Sequence, residues 1–443
     1  MTYRRLGLSV TVIAAVVAAF SVAPVSAGSS SIQTISDSQL KAMTSTAGGV
    51  AGAPSLNTGN TVAHWFGQTT DPHNGVTYGY NMVGADPNGC SGSACDVTVE
   101  ADVQPLIVNV GGLTFDGRNV MASTLASPLF QGNNYGSTTA ATAGPDSVTG
   151  KFDLHEGDGG VLSQGDNGKS LQLEDATMRA QFNKTGSSSY HVRLHANVLP
   201  AVTIDVPSNQ GTLLQSGRGV VFADIDIQWW GTRIQSLIQS ANPTHVPIFT
   251  TDDVLLHIGP NIFNCCVIGF HGAGLASTPQ SSNGSGHGNG NQPVRTFIWA
   301  TYLSPGIYAR PDGGRDWAVQ DIHPLSHEVA EWGDDPFVNN LVEPWLTPTA
   351  PQYGCTGILE TGDPVVGIGF AMGTNTFQQG PNPNGTQSAD GFFHPEDEVY
   401  LPWFMRTAPN NVSEPNQTTA GGRYTLMGDL NRFPGFHTVA TGC

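Results

Sequence analysis

Positive charge is scarce in this chain of 443 residues. Charged residues make up 12% of it, and lysine occurs only at Lys41, Lys151, Lys169 and Lys184. Acidic residues outnumber basic ones by 35 to 17, which gives a formal net charge of −18 at pH 7. Such a surface argues against nucleic acid or anionic membranes as partners. It fits an acidic external medium, where part of the carboxylates would be neutralised.

Long hydrophobic runs are missing except at the N-terminus. Residues 1–27 combine a basic start at Arg4 and Arg5, an apolar run and the small-residue site Val25-Ser26-Ala27. These features predict a secretory signal peptide, whereas a membrane anchor would need a longer apolar span. We therefore expect a secreted, extracellular protein that begins near Gly28 and has no membrane contact after cleavage.

Cysteine is rare, and the C-x-x-C spacing of thiolate metal sites is absent. An even number of cysteines in an exported chain predicts disulfide bonds. Cys90 and Cys95 bracket a short loop and are expected to pair with each other. A bond between adjacent cysteines would be strained. We therefore expect the remaining pairs to join Cys265 and Cys266, in an order left open, to Cys355 and Cys443.

Signatures of other hydrolases are also missing. The sequence contains no G-x-S-x-G nucleophile elbow. A hydrolase that uses paired carboxylates stays open, because the separation of such groups is spatial.

The distribution of apolar residues predicts an α+β protein. Residues 28–60 indicate a flexible leader, and 61–207 alternate apolar and polar residues as a β-rich N-terminal region does. From residue 208 onward, predicted strands alternate with helices at 229–240 and 323–332. We assign 208–443 to a single metal-binding domain, for the reasons that follow.

The H-E-x-x-E pattern from His327 to Glu331 is the most informative stretch. In a helix, residues four apart lie on one face, so His327 and Glu331 can bind one metal ion. Glu328 could then take a proton from a water molecule beside the ion, as the general base of a metallopeptidase does. The alternative is a solvated polar helix face. Pro324 suits the first turn of such a helix, and Gly333 suits its end.

A catalytic zinc usually has three protein ligands. Glu360 is the preferred third ligand, while Asp363 could orient His327 or bind the ion itself. His323 and His271 are further candidates. Zn²⁺ is the expected ion, but one histidine with two carboxylates is also compatible with Mn²⁺ or Ca²⁺. The acidic run 396–398 is expected at the surface.

The block 246–363 resembles the EXORDIUM / phosphate-induced protein family of plants and its bacterial relatives. The matching pieces are VPIFTTDDVLL, CCVIGFH, TFIWATYL, SHEVAEWGDDPFVNN and ILETGDP. The resemblance implies a zincin-like fold and an extracellular or cell-wall location. Its motif residues correspond to His327, Glu328, Glu331, Glu360 and Asp363. This chain departs from the family pattern in having Cys265-Cys266 in place of Cys-Gly, and in lacking a cysteine directly after Gly362-Asp363.

Two functions follow from these patterns. The first is a secreted metal-dependent hydrolase, a zinc metallopeptidase acting on a peptide or protein substrate. The second is a non-catalytic extracellular protein that binds a partner such as cell-wall polysaccharide and uses the metal site for structure. An open coordination position distinguishes catalytic from structural sites.

Overall fold

The computed structural model describes residues 50–52, 60–134, 170–217, 219–275, 293–308, 319–347, 355–366, 369, 372–377, 392–408 and 424–425. The predicted signal peptide, 1–27, and most of the leader, 28–60, lie outside the described residues. Within the leader, residues 50–52 form a short strand that pairs in parallel with residues 77–79.

The protein is α+β, as the sequence predicts. In chain order the strands are β1 Val50–Gly52, β2 His64–Thr70, β3 Thr77–Val83, β4 Asp96–Val110, β5 Leu113–Asp116, β6 Asn133–Asn134, β7 Ser170–Leu171, β8 His191–Val198, β9 Val202–Asp205, β10 Gly211–Gln215, β11 Val221–Asp226, β12 Val246–Asp252, β13 Val254–His257, β14 Cys265–Val267, β15 Gly269–Leu275, β16 Val294–Tyr302, β17 Leu341–Leu346 and β18 Cys355–Ile358. The α-helices are α1 Arg118–Ala126, α2 Leu173–Gln181, α3 Ile227–Ile238, α4 His323–Asp334 and α5 Leu401–Phe404.

The largest sheet contains seven strands, in which β15, β16, β12, β4 and β5 are neighbours in that order. β12 runs parallel to both β16 and β4, while β15 is antiparallel to β16. β8 and β9 pair with successive parts of the long strand β4. Since β4 precedes residue 207 and β12 follows it, the predicted boundary at 207/208 does not separate two sheets.

A second sheet contains β10, β11, β13 and β14, and a third contains β1, β3 and β2. Helix α3 shows how the sequence specifies these elements. The side chain of Asp226 accepts a hydrogen bond from the backbone N–H of Trp229 at 2.9 Å, which caps the helix start. Trp230, Ile234 and Ile238, spaced four apart, are fully buried. No described helix is long and apolar enough to cross a membrane.

Helix α4 packs against β15 and β16 of the seven-stranded sheet. Its apolar side chains Leu325, Val329 and Trp332 are buried. The indole Nε1–H of Trp332 donates to Thr296 Oγ1 on β16 at 2.9 Å. The helix begins at the predicted residue and extends two residues beyond the predicted end, and its polar residues are buried together with its apolar ones.

The disulfide expectations are correct for one pair and wrong for another. Cys90 and Cys95 form the predicted bond. Cys265 and Cys266 are bonded to each other across a cis peptide, not to distant cysteines. The prediction had excluded this bond because adjacent cysteines were expected to be strained by it. Cys355 is disulfide-bonded, and Cys443 lies outside the described residues.

Candidate metal centre

Helix α4 brings His327 and Glu331 together, as their spacing predicts. His327 Nε2 lies 3.1 Å from Glu331 Oε1, and both residues are at most 1% exposed. Pro324 lies in the first turn, where its missing N–H costs nothing. The alternative prediction, a solvated polar helix face, is therefore wrong.

Asp363 is the third residue of this group. Its Oδ1 lies 3.8 Å from His327 Nε2, and its backbone N–H donates to Glu331 Oε1 at 3.3 Å. One ligand atom from each of His327, Glu331 and Asp363 lies within 4.8 Å of the others. The preceding Gly362 permits this approach, because a Cβ there would collide with the His327 ring. Asp363, which the sequence offered as an alternative, thus occupies the position expected for Glu360.

His271 forms a second group with the same helix. It projects from β15, and its Nδ1 lies 3.3 Å from Glu328 Oε2 and 3.5 Å from Glu331 Oε2. The ligand atoms of His271, Glu328 and Glu331 also lie within 4.8 Å of one another. Glu360 is on this side of the centre, with its Oε2 4.0 Å from His271 Nε2.

Glu396 is the participant that sequence reasoning missed. Its Oε2 lies 2.9 Å from both His327 Nδ1 and His323 Nε2, and its backbone N–H donates to Ser326 Oγ. The run 396–398 was predicted at the surface, but its three residues are at most 2% exposed. That prediction is wrong because the run folds back over α4. His323 therefore contacts Glu396 and belongs to neither ligand group. No local pattern distinguishes this acidic run from an exposed one.

The two histidines lie in a strongly negative environment. Burial alone would lower the pKa of His271, but hydrogen bonds to Glu328 and Glu331 outweigh it and raise that pKa well above its usual value. Burial likewise opposes protonation of His327, yet the charges of Glu331 and Glu396 raise its pKa well above the usual value.

The pKa values of the carboxyl groups around these histidines shift in opposite directions. Burial alone would raise the pKa of Glu331, but His327 and His271 lower it to about 2. Burial, the largest cause, raises the pKa of the other three carboxyl groups, which are Glu328, Glu360 and Asp363. When all four groups are ionised, their negative charge exceeds what the two imidazoles offset, and a bound cation would balance it.

Several buried side-chain nitrogen and oxygen atoms have no hydrogen-bond partner of normal geometry within the described residues. They are His271 Nε2, His327 Nε2, Glu328 Oε1, Glu331 Oε2, Glu360 Oε2 and Asp363 Oδ1. Buried polar atoms are normally satisfied, and unsatisfied ones cost free energy. Imidazole nitrogen and carboxylate oxygen are ligands of Zn²⁺ and Mn²⁺, so the donor set fits a divalent transition metal; Ca²⁺ prefers oxygen alone.

A separate group of buried carboxyls lies at the far end of α4. Glu174 and Glu398 are each 1% exposed, and burial followed by mutual repulsion raises the pKa of Glu174 well above its usual value. Burial also raises the pKa of Asp334 to about 7, although Gln181 Nε2 donates to its Oδ1 at 2.6 Å. These carboxyls are therefore stable in their protonated, uncharged form.

We expect Glu174→Gln to reduce the loss of stability that accompanies rising pH. A carboxyl whose folded pKa exceeds its unfolded pKa stabilises the protein at low pH. That stability is lost as the pH rises from the unfolded pKa, about 4.3, toward the folded one. Glutamine cannot ionise, so the free energy of unfolding of the variant should fall less than that of the wild type over this pH range. Urea unfolding at a series of pH values measures the difference.

Glu100→Gln is the control for this prediction. Glu100 is partly exposed, and its hydrogen bond with His195 lowers its pKa, so its replacement removes no buried proton-binding site. Parallel stability curves for the wild type and Glu174→Gln would contradict the prediction.

Comparisons with known proteins do not identify the chain. It matches no protein-family model, no curated protein and no solved structure. The resemblance to the EXORDIUM family therefore stays a prediction, and the proposals below rest on the geometry of the centre.

Proposed function

We propose that this protein is a metal-dependent hydrolase that cleaves peptide bonds. The observation that carries the proposal is the group formed by His327, Glu331 and Asp363, with Glu328 next to its first member on the same helix. Three protein ligands and a neighbouring carboxylate are the components of a hydrolytic metal site. In this proposal the region around α4 is zincin-like, since β16 precedes the helix that carries the H-E-x-x-E motif.

Each residue has a defined task in this reaction. His327, Glu331 and Asp363 would hold the ion, which would supply the Lewis acidity for hydrolysis. Glu328 accepts the proton of the attacking water and later donates it to the leaving amine. Burial raises the pKa of Glu328, which brings it closer to the value that suits both steps. Glu396 holds the His327 ring through Nδ1 at 2.9 Å, which directs Nε2 toward the other ligands.

The least buried side of the proposed centre is that of Asp363. The Asp363 side chain is 15% exposed, whereas those of His327 and Glu331 are at most 2% exposed. A substrate would therefore approach past the 360–363 loop. The proposal includes export from the cell, supported by the N-terminal signal sequence and by disulfide bonds, which persist in oxidising compartments.

Removal of the metal tests this function. We expect purified protein to contain Zn²⁺ or Mn²⁺ by elemental analysis and to hydrolyse a protein substrate such as casein. Because the ion supplies the electrophile, a chelator should reduce hydrolysis to background, and the same ion should restore it. Hydrolysis should be measured at both acidic and neutral pH. Full activity of metal-free protein would refute the proposal.

Deep burial favours a second candidate, in which the ion is structural. His327, Glu328 and Glu331 are at most 1% exposed, and structural sites are closed to solvent. The protein would then be a non-catalytic extracellular binding protein. Chelation would lower its melting temperature strongly, and no substrate would be cleaved before or after metal is restored.

A further inference from the structure

The two ligand groups of the metal centre share one residue. Glu331 directs Oε1 toward His327 Nε2 at 3.1 Å and Oε2 toward His271 Nδ1 at 3.5 Å. Each oxygen of this carboxylate therefore belongs to a different group. A carboxylate in this orientation can bridge two metal ions, as happens in hydrolases with two-metal sites.

His327 and His271 are oriented in a similar way on the two sides of Glu331. Each has one ring nitrogen facing Glu331, while its other nitrogen faces a second carboxylate. For His327 that carboxylate is Glu396, at 2.9 Å, and for His271 it is Glu360, at 4.0 Å. A histidine ligand typically directs its second nitrogen to a carboxylate that fixes the orientation of the ring. His327 thus has the surroundings expected of a metal ligand, and Glu360 lies on the corresponding side of His271 at a longer distance.

Charge balance also favours two ions. Apart from Glu396, which lies behind the His327 ring and has His323 as a second partner, the carboxylates of the centre belong to Glu328, Glu331, Glu360 and Asp363. They carry four negative charges when all are ionised. One divalent cation would offset two of them and leave the rest in a region where an uncompensated charge is costly. Two divalent cations would offset all four, so that both histidines could bind as neutral imidazoles.

Unsatisfied atoms lie on the His271 side as well as on the His327 side. Glu328 Oε1 and Glu331 Oε2 are buried without a hydrogen bond among the described residues, and both residues are 0% exposed. The backbone leaves no room for another side chain here, because a Cβ at Gly269 would lie 2.6 Å from Glu328 Cγ. Glu328 and Glu331 therefore each place next to His271 a buried oxygen that has no hydrogen-bond partner among the described residues.

We propose that the centre binds two divalent transition-metal ions bridged by Glu331. One is held by His327, Glu331 and Asp363, and the other by His271, Glu328 and Glu331. This inference rests on the proposed hydrolytic function and extends it. Glu328 binds the second ion through Oε2 and keeps Oε1 for the proton of the attacking water. Nitrogen and oxygen donors together select Zn²⁺ or Mn²⁺.

Crystallography of the wild-type protein tests the inference without any substitution. An anomalous difference map recorded at the absorption edge of the bound metal should contain two peaks about 3.5–4 Å apart. Protein loaded with Mn²⁺ should show the electron paramagnetic resonance signal of a spin-coupled pair. A single peak between His327 and Asp363, with the signal of an isolated Mn²⁺, would overturn the second ion.

Two substitutions separate this inference from the proposed function. His271→Leu should reduce the metal content from two ions per chain to one, and Asp363→Ala should do the same by emptying the other position. His245→Leu is the control, because His245 pairs with Asp102 outside the centre and should leave both ions bound. Circular dichroism verifies that each variant folds.

The outcomes are distinct. One result would refute the second ion and leave the single-ion hydrolase in place. In that result the wild type contains one ion, His271→Leu does not change this number, and a chelator still stops hydrolysis. If the wild type binds no ion when loaded with Zn²⁺ or Mn²⁺, both proposals fail.

Discussion

Replacement of Glu331 with glutamine is expected to remove bound metal and to reduce hydrolysis to background. Glu331 is the residue that both ligand groups share, with one oxygen facing His327 and the other facing His271. Glutamine keeps the size of the side chain but removes its charge. A neutral amide is a poor ligand for a divalent cation and cannot bridge two.

The same substitution should destabilise the metal-free protein. Glu331 lies within 3.5 Å of both buried imidazoles, and its charge contributes to the raised pKa of each. Loss of one partner of a buried ion pair typically costs about 3–5 kcal/mol. We therefore expect the free energy of unfolding to fall by about that amount in chelator, as measured by urea denaturation.

Glu343→Gln is the matched control for Glu331→Gln. Glu343 lies on β17 and also contacts a histidine, His73, at 2.9 Å, but it belongs to neither ligand group. Its replacement should leave metal content and hydrolysis at wild-type values. If Glu331→Gln retained its metal and its activity, the assignment of Glu331 as a ligand would be refuted.

Replacement of Glu328 with glutamine should reduce the turnover number by about 10²–10⁴-fold. Glu328 lies next to the first ligand on α4, and its Oε1 makes no hydrogen bond among the described residues. Glutamine fills the same space but cannot accept a proton. The ion held by His327, Glu331 and Asp363 should stay bound, since none of its ligands changes, whereas the ion proposed beside His271 loses a charged ligand and should bind more weakly.

Kinetics and metal analysis together distinguish this effect from a structural one. The acidic limb of the pH–rate profile, which reports protonation of the base, should be absent from the residual activity of Glu328→Gln. Glu343→Gln again serves as the control. Unchanged turnover in Glu328→Gln would eliminate Glu328 as the base. Hydrolysis that is undetectable in the wild type under every condition would favour the structural role of the ion.

The helix and the contact between His327 and Glu331 could be predicted because they depend on local geometry. Residues four apart on a helix are neighbours in every protein, so the order His327 to Glu331 implies their contact once α4 forms. The apolar spacing of Leu325, Val329 and Trp332 predicts that helix and the face that packs on the sheet. The bond between Cys90 and Cys95 was predictable for a similar reason, since only a short loop separates them.

The sequence named Asp363, Glu360 and His271 as candidates but could not assign their places in the centre, and it missed Glu396. Long-range contacts bring these residues together. His271 reaches Glu328 because β15 pairs with β16, on which α4 packs. Glu396 reaches His327 from a segment more than sixty residues further along the chain. An acidic run such as 396–398 has the same composition whether it is exposed or buried, so its sequence alone favoured the surface.

The sequence by itself determined the kind of chemistry available: a helix that presents an imidazole and two carboxylates, in a chain with the features of an exported protein. Only the tertiary structure decided which partners complete that helix, with Asp363 beside His327, Glu360 beside His271 and Glu396 behind the ring of His327. The physical reason is the range of the interactions. Helix periodicity acts over a few residues, whereas convergence on a buried centre depends on how the sheet and the loops pack around it.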